Sequence, residues 1–308
     1  MAKVNNIIPV EDYLENIYVG LKEFIESHEE YCSLLDLNFS DNHVPEYDNI
    51  NTTQLYLLRY AFSYMFEYKY LYKKFVPKKK TLTKPTLKIL SIGCGNYLDY
   101  WGAASAANEI NDTCKIKYIG VDQVDWNYKI DCRKQDEITF FQTNIASFLE
   151  SQDKLDVNFI IFPKSISEFS DDDFRNMCSR LKHIKFSSSA IVLLFSIRDN
   201  ANNCEFDMSR AAEIVNCFKN NKNNKFSASN FNRNRPYGVE NKGIRSFDKS
   251  LVYPSHISDL ILSLYKKCTN KTINSSKCQN CSKNLVRNPI LTTKYITYSY
   301  AILTKRDD

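Results

Sequence analysis

The sequence predicts an α/β chain: a doubly wound, mostly parallel sheet with an antiparallel C-terminal strand, behind an N-terminal helical region. Three observations carry this. The first 75 residues place apolar side chains at helical spacing. From about residue 86, short apolar runs alternate with polar or helical stretches, as βαβ units require. The final run alternates large and small side chains with period two, which suits an antiparallel strand.

Residues 11–35 carry Tyr13, Leu14, Ile17, Leu21, Phe24 and Ile25 on one helical stripe. Residues 52–75 predict a longer helix, with Tyr56, Tyr60, Tyr64, Tyr68 and Tyr72 four apart. Each step of four turns the position by about 40°, so the tyrosines spread over one broad face. Such a face either packs on a core with wet hydroxyls or stacks nucleobases. A lysine-rich linker follows, with Lys73, Lys74, Lys78, Lys79, Lys80, Lys84 and Lys88 around Pro77 and Pro85. It divides a helical region, 1–85, from a sheet domain, 86–308.

Within 86–308 the predicted parallel strands are 87–92, 116–121, 139–142, 157–162 and 191–195. The first, fourth and fifth are nearly continuous apolar runs, as in strands covered on both faces. A helix is expected over 207–218. Residues 219–235 hold five Lys or Arg and no acid, and predict a mobile surface loop or a polyanion contact. A further helix is expected over 255–267, and the antiparallel strand over 295–303, where Ile296, Tyr298, Tyr300 and Ile302 alternate with smaller residues.

Composition excludes several classes. The chain of 308 residues is 43% hydrophobic and 25% charged with 7 Gly and 8 Pro, which excludes disorder and fibrous repeats. No apolar run nears the roughly 18 residues of a membrane span, and the first residues show no secretory leader, so a cytoplasmic chain is expected. Ten cysteines then read as thiols or metal ligands. The net charge of +5 hides an asymmetry: residues 1–60 hold three basic residues against eleven acids. A basic body behind an acidic segment is an ordinary solvated surface or an attractor of polyanions.

The most informative segment runs from Ile89 through Ser91, Ile92, Gly93, Cys94, Gly95 and Asn96 to Tyr97. A buried strand enters a glycine turn and then a helix, where backbone approaches a ligand and the helix N-terminus favours negative charge. The dinucleotide fingerprint would need glycine where Leu98 stands, which disfavours a pyrophosphate cofactor. The next strand ends on Asp122, placed to accept both ribose hydroxyls of an adenosine or to cap the following backbone.

With these pieces in place, the sequence resembles the class I S-adenosylmethionine-dependent methyltransferases, whose fold is Rossmann-like. The matching segments are LSIGCGN at 90–96, YIGVD at 118–122, FFQTNI at 140–145, FIIFPKSISEF at 159–169, AIVLLFS at 190–196 and YITYSYAILTK at 295–305. The resemblance implies S-adenosylmethionine as cofactor. It puts Gly93, Cys94 and Gly95 at the methionine end, with Tyr97 where a third glycine often stands. It puts Asp122 on the ribose, Gln123 beside the adenosine, Asn144 and Ile145 at the adenine edge, and Phe162 and Pro163 at the methyl-donor pocket. Ser91 stands where the family usually has an acid.

Methyl transfer from a sulfonium needs positioning and, where required, a proton acceptor. Lys164 and Glu168 are candidate catalytic residues, against plain roles as a surface lysine and a helix-start acid, and Asp99, just beyond the glycine turn, is another candidate. The Asn/Asp-Pro-Pro-aromatic signature of base-directed enzymes is absent. Cys268, Cys278 and Cys281 have the spacing of a structural zinc knuckle, with His256, Cys217 or Cys204 as a distant fourth ligand, or are unliganded thiols, a redox or disulfide role being the third reading. The basic segments and this knuckle point to RNA or another nucleic acid as acceptor. A small molecule, a protein substrate or a non-catalytic cofactor-binding subunit are the alternatives.

Overall fold

The computed structural model describes residues 7–27, 47–78, 85–198, 201–233, 236–238, 253–267 and 296–306. Helices α1 (Val10–Ser27) and α2 (Ile50–Tyr72) precede β1 (Thr86–Ile92), α3 (Leu98–Ile110), β2 (Lys115–Asp122), β3 (Glu137–Gln142), α4 (Ile145–Glu150), β4 (Lys154–Leu155) and β5 (Phe159–Pro163). Then come α5 (Asp171–Leu181), β6 (Lys185–Phe186), β7 (Ala190–Ile197), α6 (Ala201–Lys219), β8 (Phe226–Ser229), β9 (Tyr237–Gly238), α7 (Ser255–Lys267) and β10 (Thr297–Lys305).

The main sheet has the order β3-β2-β1-β5-β7-β10-β8, with β9 also on β10. Strands β3, β2, β1, β5 and β7 are parallel, and β10 is antiparallel to β7 over eight residue pairs, from Thr297–Ile197 to Thr304–Ala190. This is the Rossmann-like mixed sheet expected. The order reverses between β1 and β5, and ligands of such sheets bind at the strand ends beside that point.

Alternate residues of each strand enter opposite cores. Ile89, Ile116, Phe159 and Leu194 face α1, α2 and α3, whereas Leu90, Val121, Ile160 and Leu193 face α4, α5 and α6. The N-terminal helices therefore share a core with the sheet. Helix α2 lies on α3 at Gly102, where a Cβ would come within 2.5 Å of Tyr68 Cβ and 2.7 Å of the Lys69 amide nitrogen. Only glycine lets α2 press this close and bring its tyrosines over the strand ends.

Several boundaries differ from expectation. Helix α2 stops at Tyr72, and the chain turns so that Val76 is buried. Residues 219–235 are not simply a loop, because β8 pairs with β10 there. Phe226, the one large apolar residue of that strand, is fully buried, and polar neighbours mask it in the sequence. The short strands β4, β6 and β9 were not expected.

Cys268, Cys278 and Cys281 lie outside the described residues. Among the described residues no group of three His, Cys, Asp or Glu is arranged to hold a metal. His256, weighed as a distant ligand, instead sits 2.7 Å from Glu15 and edge-on to Tyr18 of α1. Cys217 is buried on α6 as a free thiol, in the same apolar core as Cys178 of α5. Among the described residues, no helix is long and apolar enough to cross a membrane.

Candidate active site

A cavity of about 220 Å³ opens at the C-terminal ends of β1, β2 and β5. One wall comes from the sheet. After Ile92 the chain turns through Gly93 (φ +73°) and Gly95 (φ +50°) into α3. A Cβ on Gly93 would lie 2.4 Å from Ser165 Cβ, so the β1 and β5 tips meet only because residue 93 has no side chain. Tyr97 also has positive φ, +66°, where glycine would be relaxed. Its ring is buried edge-on to Tyr118 and Phe140, which offsets a strain of about 1–2 kcal/mol.

Asp122 braces the turn. Its Oδ2 accepts from the Gly95 amide at 2.9 Å and its Oδ1 from the Val124 amide at 3.0 Å. Burial pushes its carboxyl pKa up, opposed by those amides and by the indole of Trp126. Each oxygen retains acceptor capacity toward the cavity.

Asp99, in the first turn of α3, also lines the cavity and is 1% exposed. Its Oδ1 accepts from the Tyr118 hydroxyl at 2.8 Å. Its Oδ2 and the Ser91 hydroxyl lie near one another, yet neither makes a hydrogen bond of ordinary geometry. Burial raises the carboxyl to about 6 despite the Tyr118 and Ser91 hydroxyls. A buried carboxylate oxygen without a firm partner, facing a cavity, is suited to a cationic group.

The opposite wall is aromatic. Tyr56, Tyr64 and Tyr68 of α2 line the cavity with Tyr47 and Trp126. Tyr47 stacks on Trp126 with centroids 4.2 Å apart, and Tyr56 meets Tyr47 edge-on at 5.3 Å. The segment carrying Trp126 is held to the helices: Tyr13 donates to the Tyr128 carbonyl at 2.8 Å, and the Gln54 amide donates to the Tyr128 hydroxyl at 2.6 Å.

Lys164 and Glu168 follow β5. Lys164 has φ +58°, an uncommon backbone state for a lysine. Its ammonium pairs with Glu67 of α2 at 2.8 Å, donates to the Ile197 carbonyl at 3.2 Å, and lies 5.1 Å from the Tyr64 ring centroid. Ser196 also donates to Glu67. The pair is buried and ties the helix-side wall to the sheet.

The segment carrying Glu168 is fixed by Arg210, which donates to the Ile166 and Phe169 carbonyls. The Glu168 carboxylate is exposed to the cavity and has no hydrogen bond or ion pair among the described residues. Protein nonetheless surrounds it, and this desolvation raises its pKa to about 7 against the pull of Arg198.

Gly93, Cys94, Gly95, Asp122 and Gln123 come together on the sheet-side wall, with Ile145 beyond them and Pro163 at the β5 tip. Asp99, Lys164 and Glu168 line the same cavity. Three expected contacts do not. Tyr97 turns its ring into the core, and Phe162 is fully buried, stacked on Phe195. Asn144 caps α4, its side-chain oxygen accepting from the Ser147 amide at 2.8 Å. Sequence reasoning did not single out Tyr47, Trp126 or Glu67. The four-residue tyrosine spacing was the one signal of this wall.

The scan of family models and the search of curated sequences each found no match. Among solved structures the chain is similar to a loganic acid methyltransferase with SAH, at 8% identity and TM-score 0.40, covering 81% of this chain and 95% of that one. It is similar to the plantazolicin methyltransferase BpumL with SAH at 14% identity and TM-score 0.36, covering 96% and 99%. A SAM-dependent methyltransferase from Archaeoglobus fulgidus matches at 13% identity and TM-score 0.35, covering 77% and 94%. Likeness at these values carries no argument about chemistry. The sheet order and its antiparallel C-terminal strand are those of the class I methyltransferase fold.

Proposed function

We propose that the chain is an S-adenosylmethionine-dependent methyltransferase acting on a small molecule. The observation that carries this is one cavity lined by the glycine turn, Asp122 and the underpartnered carboxylate of Asp99. That donor set fits the cofactor: Asp122 would hold the ribose hydroxyls, Gln123 and Ile145 the adenosine, and Asp99 the cationic amino group. Asp99 thereby stands in for the acid missing at Ser91. When bound, S-adenosylmethionine supplies an electrophilic methyl group on a sulfonium. The protein's task is to orient the acceptor, exclude water and remove a proton where needed. Glu168 is the carboxylate open to the cavity for that. Lys164 is engaged with Glu67 and is a positioning residue.

A small acceptor is favoured over nucleic acid because Lys73, Lys74 and Lys88 of the basic linker have partners within the chain, which leaves Lys78, exposed, as the remaining lysine among the linker's described residues. Lys73 pairs with Glu109, as does Lys69 just before it; Lys74 donates to the Tyr298 hydroxyl, and Lys88 pairs with Asp156. The test is calorimetry with S-adenosylmethionine. The parent should bind one equivalent. Asp122→Ala should bind at least ten-fold more weakly, since each hydrogen bond to a charged group contributes about 1.5–3 kcal/mol. Equal affinity in both would remove the cofactor from this wall.

A further inference from the structure

We propose that the aromatic wall and Glu168 form a box for a positively charged amine acceptor; this takes methyl transfer from the reading above and adds the acceptor's class. Geometry is the first support. Tyr47 and Trp126 are near-parallel, 28° apart, but Tyr56 meets Tyr47 at 71°, and Tyr64 meets Tyr56 at 64° with centroids 6.5 Å apart. Rings at steep mutual angles make a concave corner. A flat neutral acceptor is best held between parallel faces. A compact ammonium is attracted by the electron-rich face of each ring whatever their mutual angle.

Charge is the second support. Among the described residues Lys164 is the one basic side chain lining the cavity, and Glu67 matches its charge. Glu168 has no such match, so the helix-side wall lacks one positive charge. An acceptor ammonium supplies it. An anionic acceptor would meet Glu168 and Asp122, and the one cation among the described lining residues, Lys164, is already paired with Glu67; a neutral acceptor would leave Glu168 unpaired. Arg198 acts on Glu168 electrostatically, but it does not line the cavity and its guanidinium donates to Ser167. The Glu168 carboxylate is also placed to take the proton an ammonium must release before its nitrogen becomes nucleophilic.

The test is calorimetry at pH 8 with choline and its uncharged isostere 3,3-dimethylbutan-1-ol. Each is titrated into the protein alone and into protein saturated with S-adenosylhomocysteine. Choline should bind at least ten-fold more tightly than the isostere. Glu168→Gln and Tyr56→Leu should each lose at least ten-fold in choline affinity while binding S-adenosylhomocysteine as the parent does, which also shows that they fold.

Choline affinity should fall as pH drops through about 7, where Glu168 takes up a proton in the company of Arg198, Asp122, Asp207 and the hydroxyls of Tyr47, Tyr56 and Tyr64. Equal binding of the two probes, no binding of choline, or indifference to Glu168→Gln overturns the box. Choline selectivity without S-adenosylhomocysteine binding would keep the box and refute the methyltransferase reading. Cofactor binding without choline selectivity would do the reverse.

Discussion

The two walls of the cavity are built on different principles. The sheet-side wall is backbone: two glycines at positive φ, a carboxylate that braces them, and amides at the strand ends. The helix-side wall is side chain: tyrosines of α2, Tyr47 and Trp126, held by packing on α3 and the sheet. A wall of backbone is fixed by the fold and can serve a constant ligand. A wall of rings is set by residue choice and can be retuned for whatever acceptor it meets. On the proposed reading the first wall holds the cofactor and the second the acceptor.

The largest effect should come from separating the walls. Lys164 and Glu67 form the buried pair between them, so Lys164→Met leaves an uncompensated carboxylate. Thermal or urea unfolding should show a loss of about 3–5 kcal/mol. Adding Glu67→Gln should restore most of it. A double variant no better than the single one would mean that the pair does not join the walls.

A somewhat smaller effect sharpens the sheet side. Asp99 has its folded pKa raised to about 6 from 3.8, so the folded chain favours its protonated form. Well below pH 3.8 both folded and unfolded chains are protonated and no cost arises. As pH rises from about 4 to 6 the unfolded chain ionises while the folded chain holds its proton, and the cost grows to about 3 kcal/mol, fully present above 6. Asp99→Asn should therefore be more stable than the parent at pH 8 and equal to it at about pH 2.5, below the unfolded value, while binding S-adenosylmethionine more weakly. Stability without that pH dependence would mean that Asp99 is not the strained group of this wall.

The smallest effect concerns Tyr97, behind the glycine turn. Both Tyr97→Ala and Tyr97→Gly lose the ring's packing, but only glycine relieves the positive φ. The glycine variant should be the more stable of the two by about 1 kcal/mol in urea melts. Equal stability would show that the backbone there is not strained.

The sheet-side wall was legible because strand, glycine turn and strand-tip acid are neighbours in sequence. Gly93, Gly95 and Asp122 follow from spacing alone. What Asp99 does was not legible: its burial and its nearness to Ser91 arise only when α3 folds back over β1. The helix-side wall was legible as a stripe and not as a wall. Periodicity shows that Tyr56, Tyr64 and Tyr68 share a broad face, but the close approach at Gly102 decides what that face covers. Tyr47 and Trp126 join it across 79 residues, and no local pattern marks such a pairing. Lys164 followed β5 in sequence, but its partner Glu67 lies nearly 100 residues earlier on another element. The edge strand β8 was hidden because one buried Phe226 among Asn, Lys and Ser has the composition of a loop.

The division of labour between the walls is tested most directly by one crossed calorimetric titration. S-adenosylhomocysteine and choline are each titrated into Asp122→Ala and into Tyr56→Leu. The account predicts that Asp122→Ala loses at least ten-fold in S-adenosylhomocysteine affinity and keeps choline within about two-fold, with the pattern inverted in Tyr56→Leu. If each substitution weakened both ligands alike, or if S-adenosylhomocysteine depended on Tyr56 and not on Asp122, the assignment of cofactor and acceptor to separate walls would be contradicted.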